Sequence, residues 1–358
     1  MPSHADMARE LTYAQAINEA IDLSMARDPS VYLMGLGVPD PKGVFGSTLG
    51  LLEKYGPDRV LDMPTSENGM TGVAIGTALV GMRPIMTHQR VEFAMLALEQ
   101  IVNQAAKWHY MFGGRVSIPL VIRMIVGRGW GQGPQHSQSL QAWFAHIPGL
   151  KVVMPTTPYD AKGLLMASVE DNNPVIVLEH RWLYNIQGPV PEGPYRVPLG
   201  RARVMRGGED VTLVGVSYMS LEAMRAAEVL AEEGVQAEVI DVRSLRPLDD
   251  GAVIESVRKT GRLVVADTGW GTAGISAELI ARVAEDALEE LKSPPRRIAL
   301  PECPTPTTAA LADHYYPRAA HIVATVRQLL GREAEAPAAP IGSGAPLDVP
   351  DKSFTGPF

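Results

Sequence analysis

The sequence predicts an α/β protein of two units, each built on a mainly parallel sheet. Two observations carry this. Short apolar runs alternate with amphipathic helical stretches along most of the chain, the pattern of parallel strands joined by crossover helices. Residues 186–200 interrupt that alternation with four prolines and three glycines, a linker composition. A length of 358 residues suits two domains.

The elements follow in order. Leu11 to Arg27 reads as a helix, with Ala14, Ile17, Ile21 and Met25 on one face. Val31–Met34 and Val60–Met63 read as strands. Gly69 to Val80 is rich in small residues and reads as a helix packed closely on its neighbours. Pro84–Thr87 is a strand, Phe93 to Tyr110 a long helix and Leu120–Val126 an apolar strand. Strands at Lys151–Met154 and Val175–Glu179 flank a helix from Tyr159 to Val169. Beyond the linker come strand Val211–Val216, helix Ser220–Gly234, strand Ala237–Asp241, helix Asp250–Thr260, strand Arg262–Ala266 and helix Ile275–Leu291. A helix at Ala319–Leu330 closes the ordered part. The expected divisions are 1–185, 186–200, 201–332 and an extended Pro/Ala/Gly-rich tail, 333–358.

Composition excludes several classes. Hydrophobic residues make up 46% and charged residues 20%, which is a globular balance. The net charge is -8 and no basic tract stands out, which argues against nucleic-acid binding. The single cysteine, Cys303, rules out an intrachain disulfide framework and suits a reducing compartment. The N-terminal stretch lacks a signal-peptide core, and no apolar run is long enough to span a membrane. A cytoplasmic protein is expected.

Three glycine-bearing turns bear on chemistry. Asp267 to Gly274 holds G-x-G-x-x-G spacing, but the acidic candidates Glu285 and Asp286 fall inside a helix, so a plain strand-to-helix turn is favoured over dinucleotide binding. Gly127 to Gly133 precedes His136, and glycines there let backbone approach a ligand closely. Glu67, in Asp62 to Gly69, stands at the carboxyl end of a strand, where open α/β sheets bind ligands. Helix capping by Thr65 or Ser66, with Glu67 in a first turn favoured by the dipole, is the equal alternative. The phosphate-loop, zinc-protease and nucleophile-elbow patterns are missing.

The order of Ser66-Glu67-Asn68-Gly69, Gly81-Met82-Arg83-Pro84-Ile85, Glu99-Gln100-Ile101-Val102-Asn103, Gln135-His136-Ser137-Gln138, Pro148-Gly149-Leu150-Lys151-Val152-Val153, Asp171-Asn172-Asn173-Pro174-Val175 and Asp241-Val242-Arg243-Ser244-Leu245-Arg246-Pro247 resembles one family. It is the beta subunit of the thiamine-diphosphate-dependent decarboxylating component of 2-oxo acid dehydrogenase complexes, of pyruvate, branched-chain or acetoin type. The resemblance covers about residues 8–330. It implies a pyrimidine-binding domain followed by a transketolase C-terminal-like domain. It implies that Glu67 contacts N1′ of the aminopyrimidine, favouring the imino tautomer that deprotonates the thiazolium carbon, while the cofactor acts as electron sink. It implies that Phe93 stacks on that ring, that His136 lies near the thiazolium and serves substrate binding and acyl transfer, and that Asp171 and Asn173 belong to a potassium-binding loop.

A G-D-G motif for diphosphate and Mg²⁺ is missing; Gly207-Gly208-Glu209-Asp210 does not match it. The resemblance explains this by a separate alpha chain that holds the diphosphate and Mg²⁺. The expectation is a half active site, silent alone and active as an α2β2 heterotetramer, docking a lipoyl-bearing acyltransferase core. The alternative is a two-chain transketolase or carboligase that passes its activated unit to an aldehyde. Thr87 to Phe93 departs most from relatives, which carry an acid at the Thr87 position and more apolar residues at His88 and Arg90. His88, Arg90 and Arg181 are therefore candidates for adapting the pocket to a more polar substrate, against a background expectation of interface ion pairing.

Overall fold

The computed structural model describes residues 9–127, 132–312 and 314–332. The tail from residue 333 and residues 128–131 of the glycine-rich turn lie outside them. The described chain forms two compact units. One holds residues 9–126 and 143–199; the other holds residues 127, 132–142, 200–312 and 314–332.

The strands of the first unit are β1 (Glu10–Thr12), β2 (Val31–Gly35), β3 (Val60–Leu61), β4 (Arg83–His88), β5 (Val121–Val126), β6 (Lys151–Val153), β7 (Val175–His180) and β8 (Gln187–Pro189). Six lie side by side in the order β6-β7-β5-β4-β2-β3, all parallel. Every residue of β2, β5 and β7 is buried. Helices cover both faces of such a sheet, so its strands read as unbroken apolar runs rather than alternating ones.

The helix Tyr13–Arg27 begins where the Thr12 hydroxyl accepts from the Gln15 amide and the Gln15 side chain accepts from the Thr12 amide. Its predicted face, Ala14, Ile17, Ile21 and Met25, is buried, and it packs on the helix Pro158–Glu170. That second helix starts on a Thr157 cap with proline in its first turn.

Two expectations for this unit need correction. The segment Phe93 to Tyr110 is not one regular helix. It runs as a short α-helix at Val91–Ala94, a 3₁₀ turn at Met95–Ala97, a π-helical stretch at Gln100–Ala105 and a last α turn at Trp108–Met111. The wide register is locked by side chains: Gln104 donates to the Glu99 carboxylate across five residues at 2.7 Å, a spacing that suits a π turn. Just beyond, a Cβ on Gly149 would stand 1.8 Å from the Ala106 carbonyl oxygen, so only glycine lets the two backbones meet. The start of the Pro/Gly-rich segment is not a plain linker either. Its β8 pairs antiparallel with β1, a two-stranded ribbon in which Pro189 is tolerated.

The second unit holds β9 (Arg203–Arg206), β10 (Val211–Gly215), β11 (Ala237–Asp241), β12 (Ser244–Arg246), β13 (Leu263–Trp270) and β14 (Arg296–Leu300). Five form a sheet in the order β14-β13-β10-β11-β9, parallel except for β9. The last strand was expected to stop at Ala266, yet β13 continues through Asp267 and Thr268, both buried. Burial pushes the Asp267 carboxyl up to about 6, opposed by a hydrogen bond from the Gln141 side chain at 2.7 Å. Gly269 and Trp270 still belong to this strand, and only Gly271 to Gly274 form the strand-to-helix turn, a shorter one than expected. The next helix ends at Asp286, short of Leu291, where Ala287 leaves helical geometry with φ -147°. Asp210 accepts from the Gln236 amide at 2.7 Å, so the Gly207 to Asp210 segment is a structural turn. Among the described residues no helix is long and apolar enough to cross a membrane.

Candidate active site

Glu67 is the first residue of the helix Glu67–Leu79, reached from β3 through a short polar turn. Asp62 fixes that turn by accepting from the Gly37 and Met63 amides, each at 2.9 Å. Ser66 occupies the cap position but makes no side-chain cap bond. Glu67 is nonetheless buried, with 7% of its surface exposed. A carboxylate in the first turn sits at the positive end of the helix dipole, which favours its charge there. Thr71 ties the first turn by donating to the Glu67 carbonyl at 2.7 Å.

The end of β4 supplies the other predicted groups of this unit. His88 is 2% exposed, and its Nε2 makes no hydrogen bond. Burial pushes the imidazole down to about 4, so it is neutral at physiological pH. Arg90 is buried and precedes the helix Val91–Ala94; Phe93, half-buried, is in that helix. Arg181 follows the end of β7.

The structure brings Arg90 and Arg181 to one aromatic ring, Phe45, which lies in the long loop after β2. Their guanidinium carbons are 5.9 and 4.5 Å from its centroid. Arg181 also lies 5.2 Å from the Tyr184 ring, which meets Phe45 edge-on at 6.0 Å. Burial pushes the Arg181 guanidinium down from its usual value, and Tyr184 opposes this. Phe45 has φ 49°, a left-handed conformation that costs a residue with a side chain on the order of 1 kcal/mol.

A buried charge network lies in the same unit and was not anticipated. Arg123, on β5, pairs with Glu179, on β7, at 2.7 Å, both almost wholly buried. Arg123 also donates to Ser47 at 2.9 Å, and Glu179 accepts from the Tyr184 hydroxyl. Burial opposes the Arg123 charge, but Glu179 more than offsets it and holds the guanidinium above its usual value. Burial, reinforced by Glu179, raises Tyr13 and Tyr184 well above the usual phenol value. A signal existed in the sequence: one charge inside each of two apolar strand runs, which burial permits only with a partner.

His136 belongs to the second unit. Its amide bonds the Gly133 carbonyl at 3.4 Å, and the loop closes where the Gly127 amide meets the Gln138 carbonyl at 3.1 Å. Gly133 has φ +71°, and a Cβ there would stand 2.5 Å from the Thr307 hydroxyl. Asp171 ends the helix Pro158–Glu170. Burial works against its charge, but hydrogen bonds from Lys151 and Asn173 hold its carboxyl below the usual range. Arg83 donates to the Val169 and Asp171 carbonyls at 2.9 and 3.2 Å. Both Asp171 carboxylate oxygens are thus bonded within the chain, one to Lys151 and one to Asn173.

His88 yields a prediction about acid stability. Its folded-state pKa lies below its unfolded value near 6.5, so the unfolded chain takes up the proton first. Stability from this group is full above pH 6.5 and falls as pH drops toward 4, by about 3 kcal/mol in all. Melts of the parent and His88→Phe chains should therefore converge or cross as pH falls through that window. Parallel curves would assign the proton uptake elsewhere.

Comparison with known proteins identifies the family. The transketolase pyrimidine-binding domain matches residues 9–187, and the transketolase C-terminal domain matches residues 200–322. The chain is 47% identical over 334 residues to the beta subunit of acetoin:2,6-dichlorophenolindophenol oxidoreductase of Cupriavidus necator, covering 90% of this chain and 98% of that one. It is 42% identical over 330 residues to the mitochondrial pyruvate dehydrogenase E1 component subunit beta-1 of Oryza sativa subsp. japonica, covering 91% and 88%. A split-gene transketolase, solved as an inactive beta4 tetramer, superposes with a TM-score of 0.73 at 25% identity, over 90% of this chain and 99% of that one. The chain thus belongs to the transketolase-like family of thiamine-diphosphate enzymes, in the branch of the acetoin and pyruvate dehydrogenase beta subunits.

Proposed function

We propose that this chain is the beta subunit of a two-chain thiamine-diphosphate-dependent 2-oxo acid dehydrogenase, which decarboxylates a 2-oxo acid oxidatively and passes the acyl group to a lipoyl domain. The observation that carries the reading is Glu67: a buried carboxyl opening a helix at the carboxyl end of a parallel sheet, in a chain 47% identical to a dehydrogenase beta subunit. The dehydrogenase reading is favoured over ketol transfer because identity to the dehydrogenase subunits exceeds the 25% shared with the split transketolase.

The residues present fit the aminopyrimidine half of the cofactor. When bound, thiamine diphosphate supplies the electron sink for cleavage next to a carbonyl. Glu67, buried in the first turn of its helix, would hold a proton at the pyrimidine N1′ atom. Phe93 would offer a flat apolar face to the ring. His136 would bind and orient the substrate. The diphosphate and Mg²⁺ would be held by the alpha chain of an α2β2 assembly. A potassium ion at the loop of Asp171 and Asn173 would have a structural role. The exposed, unpaired Cys303 supports a cytoplasmic setting.

The test is co-expression with a cognate alpha chain, followed by 2-oxo acid decarboxylation with thiamine diphosphate, Mg²⁺ and an artificial electron acceptor. Acceptor reduction by the pair, and none by the chain alone, is the expected result; the split transketolase is likewise inactive as a beta4 tetramer. Product formation only after an aldehyde is added would transfer the protein to the carboligases. Turnover by the isolated chain would overturn the half-site reading.

A further inference from the structure

We propose that Asp267 and Gln141 form a latch that holds the loop bearing His136 in place, so that both are positioning residues for the step His136 serves. The inference rests on the reading of His136 given above. Three observations carry it. First, the Gln141 side chain donates to Asp267 Oδ1 at 2.7 Å, and each residue is only 1% exposed. Asp267 stands near the end of β13, while Gln141 follows His136 closely in the chain and opens the helix Gln141–His146. Secondly, Gly269 leaves room for the two side chains to meet. A Cβ there would stand 2.9 Å from Gln141 Nε2 and 3.0 Å from Asp267 Oδ2. Thirdly, the pair is a poor device for stability alone. Asp267 Oδ2 and Gln141 Oε1 make no hydrogen bond, and burying polar atoms in that way costs free energy.

What the bond supplies is direction. Within the loop, the Gly127 amide meets the Gln138 carbonyl and the His136 amide meets the Gly133 carbonyl. Those bonds shape the loop locally. The latch ties its downstream end to a strand of the central sheet, a rigid support from which a side chain is placed more precisely than from a loop. A shift of about 1 Å in a substrate-orienting group can cost about a hundredfold in rate.

The experiment uses the reconstituted two-chain enzyme, with Gln141→Met, Gly269→Ala, Asp267→Ala and Asp267→Asn. Gln141→Met keeps the buried volume and removes the bond. It should lower kcat/KM for the 2-oxo acid by about tenfold to a hundredfold. Gly269→Ala, which crowds the same bond, should act in the same direction. The thiamine diphosphate concentration for half-activity should stay as in the parent, because Glu67 and Phe93 belong to the other unit. A chain merely loosened overall would lose both together. Asparagine keeps an acceptor for Gln141, so Asp267→Asn should recover most of the activity that Asp267→Ala loses. Unchanged kcat/KM in Gln141→Met, or an asparagine variant no better than alanine, would overturn the latch. Hydrogen exchange at the Gly127 and His136 amides in the same complex separates this proposal from the reaction itself. Faster exchange in Gln141→Met, with near-parental exchange in Asp267→Asn, supports the latch even if no 2-oxo acid turns over, in which case the dehydrogenase reading alone falls. Parental exchange in Gln141→Met would remove the latch whichever reaction the enzyme performs.

Discussion

Glu67→Gln in the reconstituted enzyme is expected to lower kcat by roughly 10²–10⁴-fold while leaving the fold intact, the range set by losing a positioned proton-transfer group. The carboxyl is held in a buried first turn whose Thr71 bond goes to the backbone carbonyl, so the amide keeps the helix start unchanged. Removing a desolvated charge should hold or raise the melting temperature of the chain, the usual opposition between activity and stability at a working site. Steady-state kinetics and a thermal melt on the same preparation check both halves. Unchanged kcat would leave Glu67 with a helix-end role and return weight to a purely scaffolding subunit.

The second large effect concerns stability. Glu179→Ala leaves the Arg123 guanidinium buried with its carboxylate gone, and such breakage costs about 3–5 kcal/mol. For a unit of this size that amounts to a fall of about 10 °C in melting temperature. The double variant Arg123→Met with Glu179→Met should recover most of the loss, since apolar packing removes both desolvation penalties together. A double-mutant cycle by thermal or denaturant unfolding reads the coupling directly. Additive effects would mean that the two charges do not act as a pair.

The strands were legible because burial on both faces leaves an unbroken apolar run, as in Val121–Val126 and Val175–His180. The helix Tyr13–Arg27 was legible from its period and from Thr12 and Gln15 at its start. What escaped has no local signature. The wide turn at Gln100–Ala105 depends on Glu99 meeting Gln104 and on Gly149, distant in sequence, pressing against Ala106. Asp267 and Thr268 extend β13 although apolar patterning ends before them, because burial and the Gln141 bond hold them there. Of the candidate site, Glu67, Phe93 and His136 were suggested by motif, and Arg90 and Arg181 by their departure from relatives. Phe45 could not be found that way: it lies far along the chain from both arginines, and only folding brings the three together.

The wide turn at Gln100–Ala105 also sets the angular phase of everything before it. A π register accommodates one residue more than the α-helix, and each residue turns a helix by about 100°. Deleting a single residue there would relax the segment to ordinary α geometry and could even steady it. The same deletion would swing Val91–Ala94, with Phe93, about 100° away from its present direction relative to Trp108–Met111. The extra residue therefore acts as an index mark: it costs local regularity and fixes which side of the segment the aromatic presents. A sequence that drifts toward a better helix at this point would lose alignment before it lost stability.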